Sequence, residues 1–403
     1  MTISETELRA EATAFLDQNA ERRAEEKFEW GKGSDHVGVL DEKSPEQEQA
    51  EIDTAKEWKN LEFDAGFGWL TGPEEYGGRA LTSGHDRAYR EVLADYATPN
   101  QTMFGIGLGM VAPTILAHAI PEVREQCLRS MYRGDLVACQ LFSEPVAGSD
   151  LAGIQTKAER DGDEWILTGQ KVWTSGAHYS DIGEIITRTS PDKPKHKGLS
   201  MFLVDMHAPG IEIRPLRQMT GGASFNEVFF DEVRVPASHI LGDVDEGWTV
   251  ALTTLMNERA AIGGGGAGIG TISFTRFREM VRYYGLHDDP IVRQRLADVY
   301  VNQQVSRFTN LRAMAKIRSG QLPGPEMSIA KLAMTMNMTR IAAMLSEVLG
   351  PRLVADSGEW GTYAWSEFVQ GIPGMRIAGG TDEIMRNIVG ERVLGLPKEP
   401  RPA

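Results

Sequence analysis

The chain has 403 residues, 41% hydrophobic and 25% charged, and a formal net charge of −15 at pH 7. That length buries a large core and suggests two or three domains, while the acidic balance argues against the basic face of a nucleic-acid binder. Two cysteines, Cys127 and Cys139, without CxxC spacing argue against a disulfide framework, and eight histidines without an HxxxH or HExxH pair offer no metal site.

The N-terminal segment lacks the apolar core of a signal peptide. With a reducing compartment as the default, a cytoplasmic protein is expected. Leu8, Ala12, Phe15 and Leu16 recur at helical spacing, as do Ile52, Ala55, Trp58 and Leu61. Between them, EWGKGSDHVGVLDEKSPEQ is polar and Gly-rich, and reads as a loop or mobile excursion. FGWLTGPEEYGGRAL, residues 67–81, is dense in turn formers. Residues 103–120, MFGIGLGMVAPTILAHAI, carry no Asp, Glu, Lys or Arg, yet include three glycines and Pro113. They are barely long enough to span a membrane and read as a buried helix after a Gly-rich turn.

From about residue 137 the texture changes. WILTGQKVWTS, EIITRTS, LSMFLVDM, IEIRPL and EVFFDEVRVP are short, β-branched and aromatic, and are separated by Gly, Pro and Asp. They predict an all-β domain. From about residue 247 long helical patterns return and predict an antiparallel bundle. Met327, Met334, Met336, Met338 and Met344 read as core fillers rather than ligands. The expected domains are therefore 1–136, 137–246 and 247–403. GGGGAG, residues 263–268, satisfies GxGxxG, with Asp288 about twenty residues on. A helical pattern precedes it and no βαβ units follow, so a dinucleotide site is not expected there.

One stretch asks for more than a surface loop. FSEPVAGSD, residues 142–150, followed by GQKVWTSGAHYSD, resembles the flavin-binding part of the acyl-CoA dehydrogenase family. The resemblance extends to PEEYGG (73–78), MFLVDMHAPGIEI, NEVFFDEVRVP, DEGWTVA (245–251) and AGGTDEIMRNIVGERVLG (378–395). It implies an α+β multidomain fold: an N-terminal helical domain, a middle β-barrel-like domain and a C-terminal four-helix bundle. It also implies FAD, an acyl-CoA substrate, electron-transfer flavoprotein as acceptor, and a homotetramer or homodimer. In the family pattern Phe142 and Ser143 serve the pyrimidine edge of the flavin, Trp173 covers a ring face and Ser175 reaches N5. Gly148 and Ser149 approach the cofactor or the pantetheine of CoA, and Thr381 and Glu383 contact the FAD chain. Ser149, Arg259 and Gly379 fall on the substrate side. Donors at the pyrimidine edge would stabilise the negative charge that arrives with hydride.

The family reaction needs a carboxylate beside the substrate α-carbon. Many members carry a glutamate immediately before the GT of the terminal motif, where this chain has Gly379. MNERA, residues 256–260, offers Glu258 instead, at the position used by the isovaleryl-CoA and long-chain branches. The alternative is that Glu258 is a helix-pairing carboxylate, partnered by Arg259 or Arg376. Asp382 is a weaker rival base. The RxxFGxxL-like stretch of the family is also absent. In YYGLHDDPIVRQRLADV, Arg293 or Arg295 is a candidate replacement for a phosphate contact, and SEVLGP has Glu347 and Pro351 in place of the usual glutamine.

Three functions stand at this point. The first is an FAD-dependent acyl-CoA dehydrogenase, with room for branched, long or polycyclic acyl groups beside Glu258 and the glycine run. The second is an acyl-CoA oxidase-like flavoenzyme. The third is a non-catalytic or FAD-sharing subunit of a heteromeric dehydrogenase.

Overall fold

The computed structural model describes residues 3–24, 29–39, 43–263, 273–318 and 324–398. Packing divides the chain into two units. The first comprises Met1–Glu26, Glu42–Arg217 and Ala223–Thr254; the second comprises Lys27–Asp41, Gln218–Gly222 and Leu255–Ala403.

The first unit begins with helices α1 (Glu5–Asn19) and α2 (Pro45–Asp64), each started by a reciprocal cap: Ser4 with Glu7, and Ser44 with Gln47. Leu8, Ala12 and Leu16 are buried on α1, and Ile52, Ala55 and Trp58 on α2. Leu61 breaks the expected stripe, at 41% exposed. The next residue, Glu62, is buried instead, because Lys59 and the Tyr89 hydroxyl both donate to its carboxylate. Periodicity alone does not register such a polar pair. Strand β1 (Glu21–Arg22) pairs with β2 (Tyr96–Ala97) beyond α3 (Ser83–Leu93). Residues 107–111 form one π-helical turn that runs into α4 (Ala112–His118), followed by α5 (Pro121–Arg133).

Eight strands then build one sheet: β3 (Ala138–Leu141), β4 (Lys157–Asp161), β5 (Glu164–Ser175), β6 (Ile182–Arg188), β7 (Leu199–Asp205), β8 (Ile211–Leu216), β9 (Phe225–Pro236) and β10 (Ile240–Leu241). Their order is β10-β7-β6-β4-β5-β9-β8, with β3 parallel to β6. Leu141, Leu167, Ile185, Phe202, Val228 and Phe230 share its core. The antiparallel β5–β9 ladder slips register twice, at Leu167/Gly169 and at Lys171/Thr174. Such bulges re-aim side chains. Strand β6 is buried without alternation from Gly183 to Thr187, as expected when both faces are covered. Helix α6 (Gly247–Gly263) follows the sheet.

The second unit is helical: α7 (Phe274–Tyr283), α8 (Pro290–Arg318), α9 (Met327–Leu349), α10 (Ser366–Ile377) and α11 (Asp382–Ile388). Phe277, Met280, Ile341, Leu345, Trp365 and Phe368 form its core. Met327, Met338 and Met344 are buried as fillers, whereas Met336 is exposed. Residues 29–39 carry no helix or strand, as expected for a loop, but they are anchored. Val37 is buried in this core and donates its N–H to the Ala364 carbonyl, and Trp30 packs edge-on against Trp360. Val37 and Val39 supply the apolar contacts that a polar average over the segment conceals.

Among the described residues no helix is long and apolar enough to cross a membrane, no cluster is suited to a metal, and Cys127 and Cys139 are free. Beyond Gly263 the glycine run lies outside the described residues.

Candidate active site

The loop 142–150 leaves the end of β3 and folds back as a tight turn, in which Glu144 and Ala147 exchange backbone hydrogen bonds of 3.0 Å each. It is fastened from beneath. The Glu144 carboxylate is buried and accepts from the Gln155 N–H (2.6 Å), the Thr156 N–H (2.9 Å) and the Lys171 ammonium (2.9 Å). Burial alone would raise the Glu144 pKa, but Lys171 and these donors hold it below the usual range. Lys171 is wholly buried in β5 and also donates to the Phe142 carbonyl at 3.0 Å. Burial pulls its ammonium down to about 8, against the opposing charge of Glu144. The Val172 N–H donates to the Ser143 carbonyl at 2.9 Å. Phe142 and Ser143 are therefore oriented by consecutive residues of β5.

The same strand then presents Trp173. The second register slip sets its backbone at φ +62°, in the left-handed region that favours glycine, and leaves its side chain 60% exposed. Phe225 braces the indole edge-on, with ring centroids 6.0 Å apart. A large exposed aromatic in strained backbone is unfavourable in isolation. Its neighbour Thr174 is buried with an unpartnered hydroxyl, and Ser175 is partly exposed. Gly148 and Ser149 are exposed at the loop tip, and a Cβ on Gly148 would meet nothing within 4 Å. Asp150 is ion-paired with Lys195 at 2.7 Å. Arg188 ties the two loops together by donating to the carbonyls of Ala152 and Lys195. Phe142, Ser143, Gly148, Ser149, Trp173 and Ser175 thus belong to one loop and one bulged strand.

In the second unit Glu258 lies in α6 and is partly exposed; the Arg259 side chain lies outside the described residues. Arg376, the other partner considered for Glu258, donates to Asp382 at 2.8 Å. Gly379 and Gly380 have φ of +63° and +88°, so a glutamate at 379 would need a conformation that L residues seldom adopt. Thr381 caps α11 by accepting from the Ile384 N–H, and Glu383 pairs with Arg386 at 3.1 Å. Asp382 is buried and receives hydrogen bonds from Thr335 (2.7 Å) and Arg376, with Lys331 3.5 Å away. Burial would raise its pKa, but those donors and the Lys331 charge hold it low, which makes it a poor base. Arg295 is held by Glu347 at 2.7 Å, so these two departures from the family pattern answer each other.

Sequence reasoning missed Glu144, Lys171 and Lys331 as organisers. A lysine two residues before an aromatic within a run that reads as a strand was the available signal. It also missed Glu184, a fully buried carboxylate on β6.

The acyl-CoA dehydrogenase N-terminal, middle and C-terminal domain profiles match residues 2–135, 139–233 and 245–394. Acyl-CoA dehydrogenase IpdE1 of Mycobacterium tuberculosis is 35% identical, with 88% of this chain and 91% of that protein covered. Acyl-CoA dehydrogenase FadE34 of the same organism is 43% identical over 71% of this chain, which spans only 39% of FadE34. A variant of the Tcur3481-Tcur3483 steroid ACAD superposes with a TM-score of 0.75 at 26% identity, covering 98% of this chain and 99% of that one. The chain belongs to the acyl-CoA dehydrogenase family and is an oxidoreductase of the flavoprotein class, with FAD as its cofactor.

Proposed function

We propose that the chain performs the α,β-dehydrogenation of an acyl-CoA thioester, with Glu258 as the base. A bound FAD would supply the two-electron acceptor for the β-hydride. Glu258 takes the α-proton, and the substrate is left with a Cα=Cβ double bond. Trp173 carries this reading, because an exposed indole held in unfavourable backbone fits a flat apolar ring laid against it. The clamped Phe142–Ser143 segment presents polar groups beside it, and Ser143 and Ser175 are the hydroxyls suited to the polar edge of the flavin. The left-handed Gly379 supports a base at 258 rather than at 379. Thr381 and Glu383 are proposed to serve the FAD chain, and Ser149, Arg259 and Gly379 the thioester side.

The substrate class is proposed to be bulky and polycyclic, on the likeness to a steroid ACAD and the small residues that follow Glu258. Electron-transfer flavoprotein is the proposed acceptor. A second reading, that FAD is shared with a partner subunit, is favoured by the Arg295–Glu347 pairing, which occupies the arginine considered for a phosphate. Anaerobic titration of the purified holoprotein with acyl-CoA thioesters tests both. Bleaching of flavin absorbance in wild type and none in Glu258→Gln, with thioester binding kept, is expected. Unaltered bleaching in the variant removes Glu258 as base. A chain that retains no FAD alone supports the shared site.

A further inference from the structure

Glu184 is a carboxylic residue with no exposed surface that the proposed reaction does not use. It lies on β6 between Gln140 of β3 and Leu203 of β7. Its Oε1 is 2.5 Å from Thr254 Oγ1 on α6, Thr254 Oγ1 is 2.9 Å from Thr114 Oγ1 on α4, and Thr114 Oγ1 is 2.9 Å from the Met110 carbonyl in the π-helical turn. Its Oε2 has no partner. Three oxygen–oxygen contacts need three protons, and the two hydroxyls bring two. If Glu184 is ionised, one contact sets two lone pairs against each other and a charge lies buried, a combination that folded proteins avoid. A proton on Glu184 completes the series: the acid donates to Thr254, Thr254 to Thr114, and Thr114 to Met110.

We propose that Glu184 is a neutral carboxylic acid that fastens α6 to the sheet through Thr254 and Thr114, and that it is a positioning residue for Glu258, four residues beyond Thr254. The second half rests on Glu258 being the base. Burial raises the Glu184 pKa to about 8, and what works against it is the hydrogen bond that Thr254 would donate to the ionised form. The titratable and charged groups on β3, β6, β7, α4 and α6, besides Glu184, are Cys139 of β3, whose thiol is pushed up to about 12 by burial, Arg188 of β6, Asp205 of β7, His118 of α4, which burial and then Arg124 lower, and Glu258 and Arg259 of α6. His118 also contacts the Thr253 hydroxyl at 2.9 Å, giving α6 a second tie to α4.

Infrared difference spectra of wild type against Glu184→Gln test the protonation without substrate. A carboxylic-acid C=O band at pH 7 that is lost in the variant is expected. Its absence overturns the proposal. Hydrogen exchange of the α6 amides near Thr254, corrected for intrinsic rates, reads the fastening. Between pH 7 and 9 wild-type protection falls about tenfold, since at pH 9 ionised Glu184 outnumbers the acid by that factor, while Glu184→Gln, which keeps a donor, stays flat. Equal behaviour in both proteins overturns the fastening. Thr254→Val serves if Glu184→Gln does not fold: it shifts the acid band, and an unshifted band overturns the chain of donors. With a reducing acyl-CoA, the wild-type flavin-reduction rate falls on the alkaline side and the Glu184→Gln rate does not. The same fall in both overturns the positioning role. If no acyl-CoA reduces the flavin, the dehydrogenase reading fails, while the spectra and exchange still decide the state of Glu184.

Discussion

The Lys171 ammonium stands 2.9 Å from the Glu144 carboxylate and 3.0 Å from the Phe142 carbonyl, with both side chains out of contact with water. One lysine thus sets two residues of the 142–150 loop from the strand that carries Trp173. A buried pair of this kind is weak evidence for net stability, but removing one partner leaves a bare charge.

Lys171→Met is therefore expected to destabilise the chain by ~3–5 kcal/mol and to release the turn at 144–147. Lys171→Met with Glu144→Gln should recover part of that loss, because the stranded carboxylate is gone. Denaturant melts of both variants, with the FAD-to-chain ratio, check this. A double variant no more stable than the single one would contradict the account.

Trp173 pays for its placement in backbone strain, on the order of 1 kcal/mol at φ +62°. Trp173→Gly should leave the apoprotein at least as stable as wild type, since an exposed indole contributes little burial. The same change should weaken FAD by about tenfold or more, ~1.4 kcal/mol, through the lost ring contact. Thermal melts of the apoprotein and fluorescence titration with FAD separate the two effects. Unchanged FAD affinity would remove Trp173 from the flavin face.

Glu184 makes stability depend on pH with a definite sign. Its folded pKa, raised to about 8 by burial, lies above the unfolded value of 4.5. Between those values the folded chain holds the proton more tightly, so stability falls as pH rises from about 4.5 to about 8 and levels off above. Glu184→Gln has no such group. Its stability relative to wild type should grow with pH, by on the order of 3 kcal/mol between pH 4.5 and 7. Paired denaturant melts across pH 5–9 measure the gap, and a gap that stays constant contradicts a raised pKa.

Much of this was legible in the residues themselves. SEPVAGSD and QKVWTS identified a loop and a strand that do lie together, and the α, β, α texture followed from helical period at the two ends and from short β-branched and aromatic runs between turn formers in the middle. Leu61 shows where period fails: the Glu62–Lys59–Tyr89 group took the buried position because its hydrogen bonds offset desolvation, and no hydropathy pattern encodes that. Lys171 and Glu184 were hidden for the same reason, since a charged residue in a strand reads as exposed until its partner is known. The polar segment EWGKGSDHVGVLDEKSPEQ reads as a loop or mobile excursion because the anchors of its described part, Trp30 and Val37, are few among polar residues.

Asp382 was the rival base in the sequence, and the structure gives it a different task. Its carboxylate takes Thr335 on one oxygen and Arg376 on the other, while Lys331, itself buried, bridges to the Gly380 carbonyl at 2.8 Å. That group holds the left-handed turn at Gly379 and Gly380, from which Thr381 caps α11. Asp382→Asn keeps the shape and an acceptor but removes the charge beside Lys331 and Arg376. It should cost ~1.5–3 kcal/mol of stability, the range for hydrogen bonds to charged groups. In variant chains that retain FAD, reduction by an acyl-CoA should continue at a rate within about tenfold of wild type. Glu258→Gln should instead lose reduction while keeping normal stability. Stopped-flow flavin reduction and denaturant melts on the two variants give four readings. If Asp382→Asn abolishes reduction in an otherwise stable holoprotein and Glu258→Gln does not, the two carboxylates exchange roles, and Arg376 and Lys331 become the groups that tune a base.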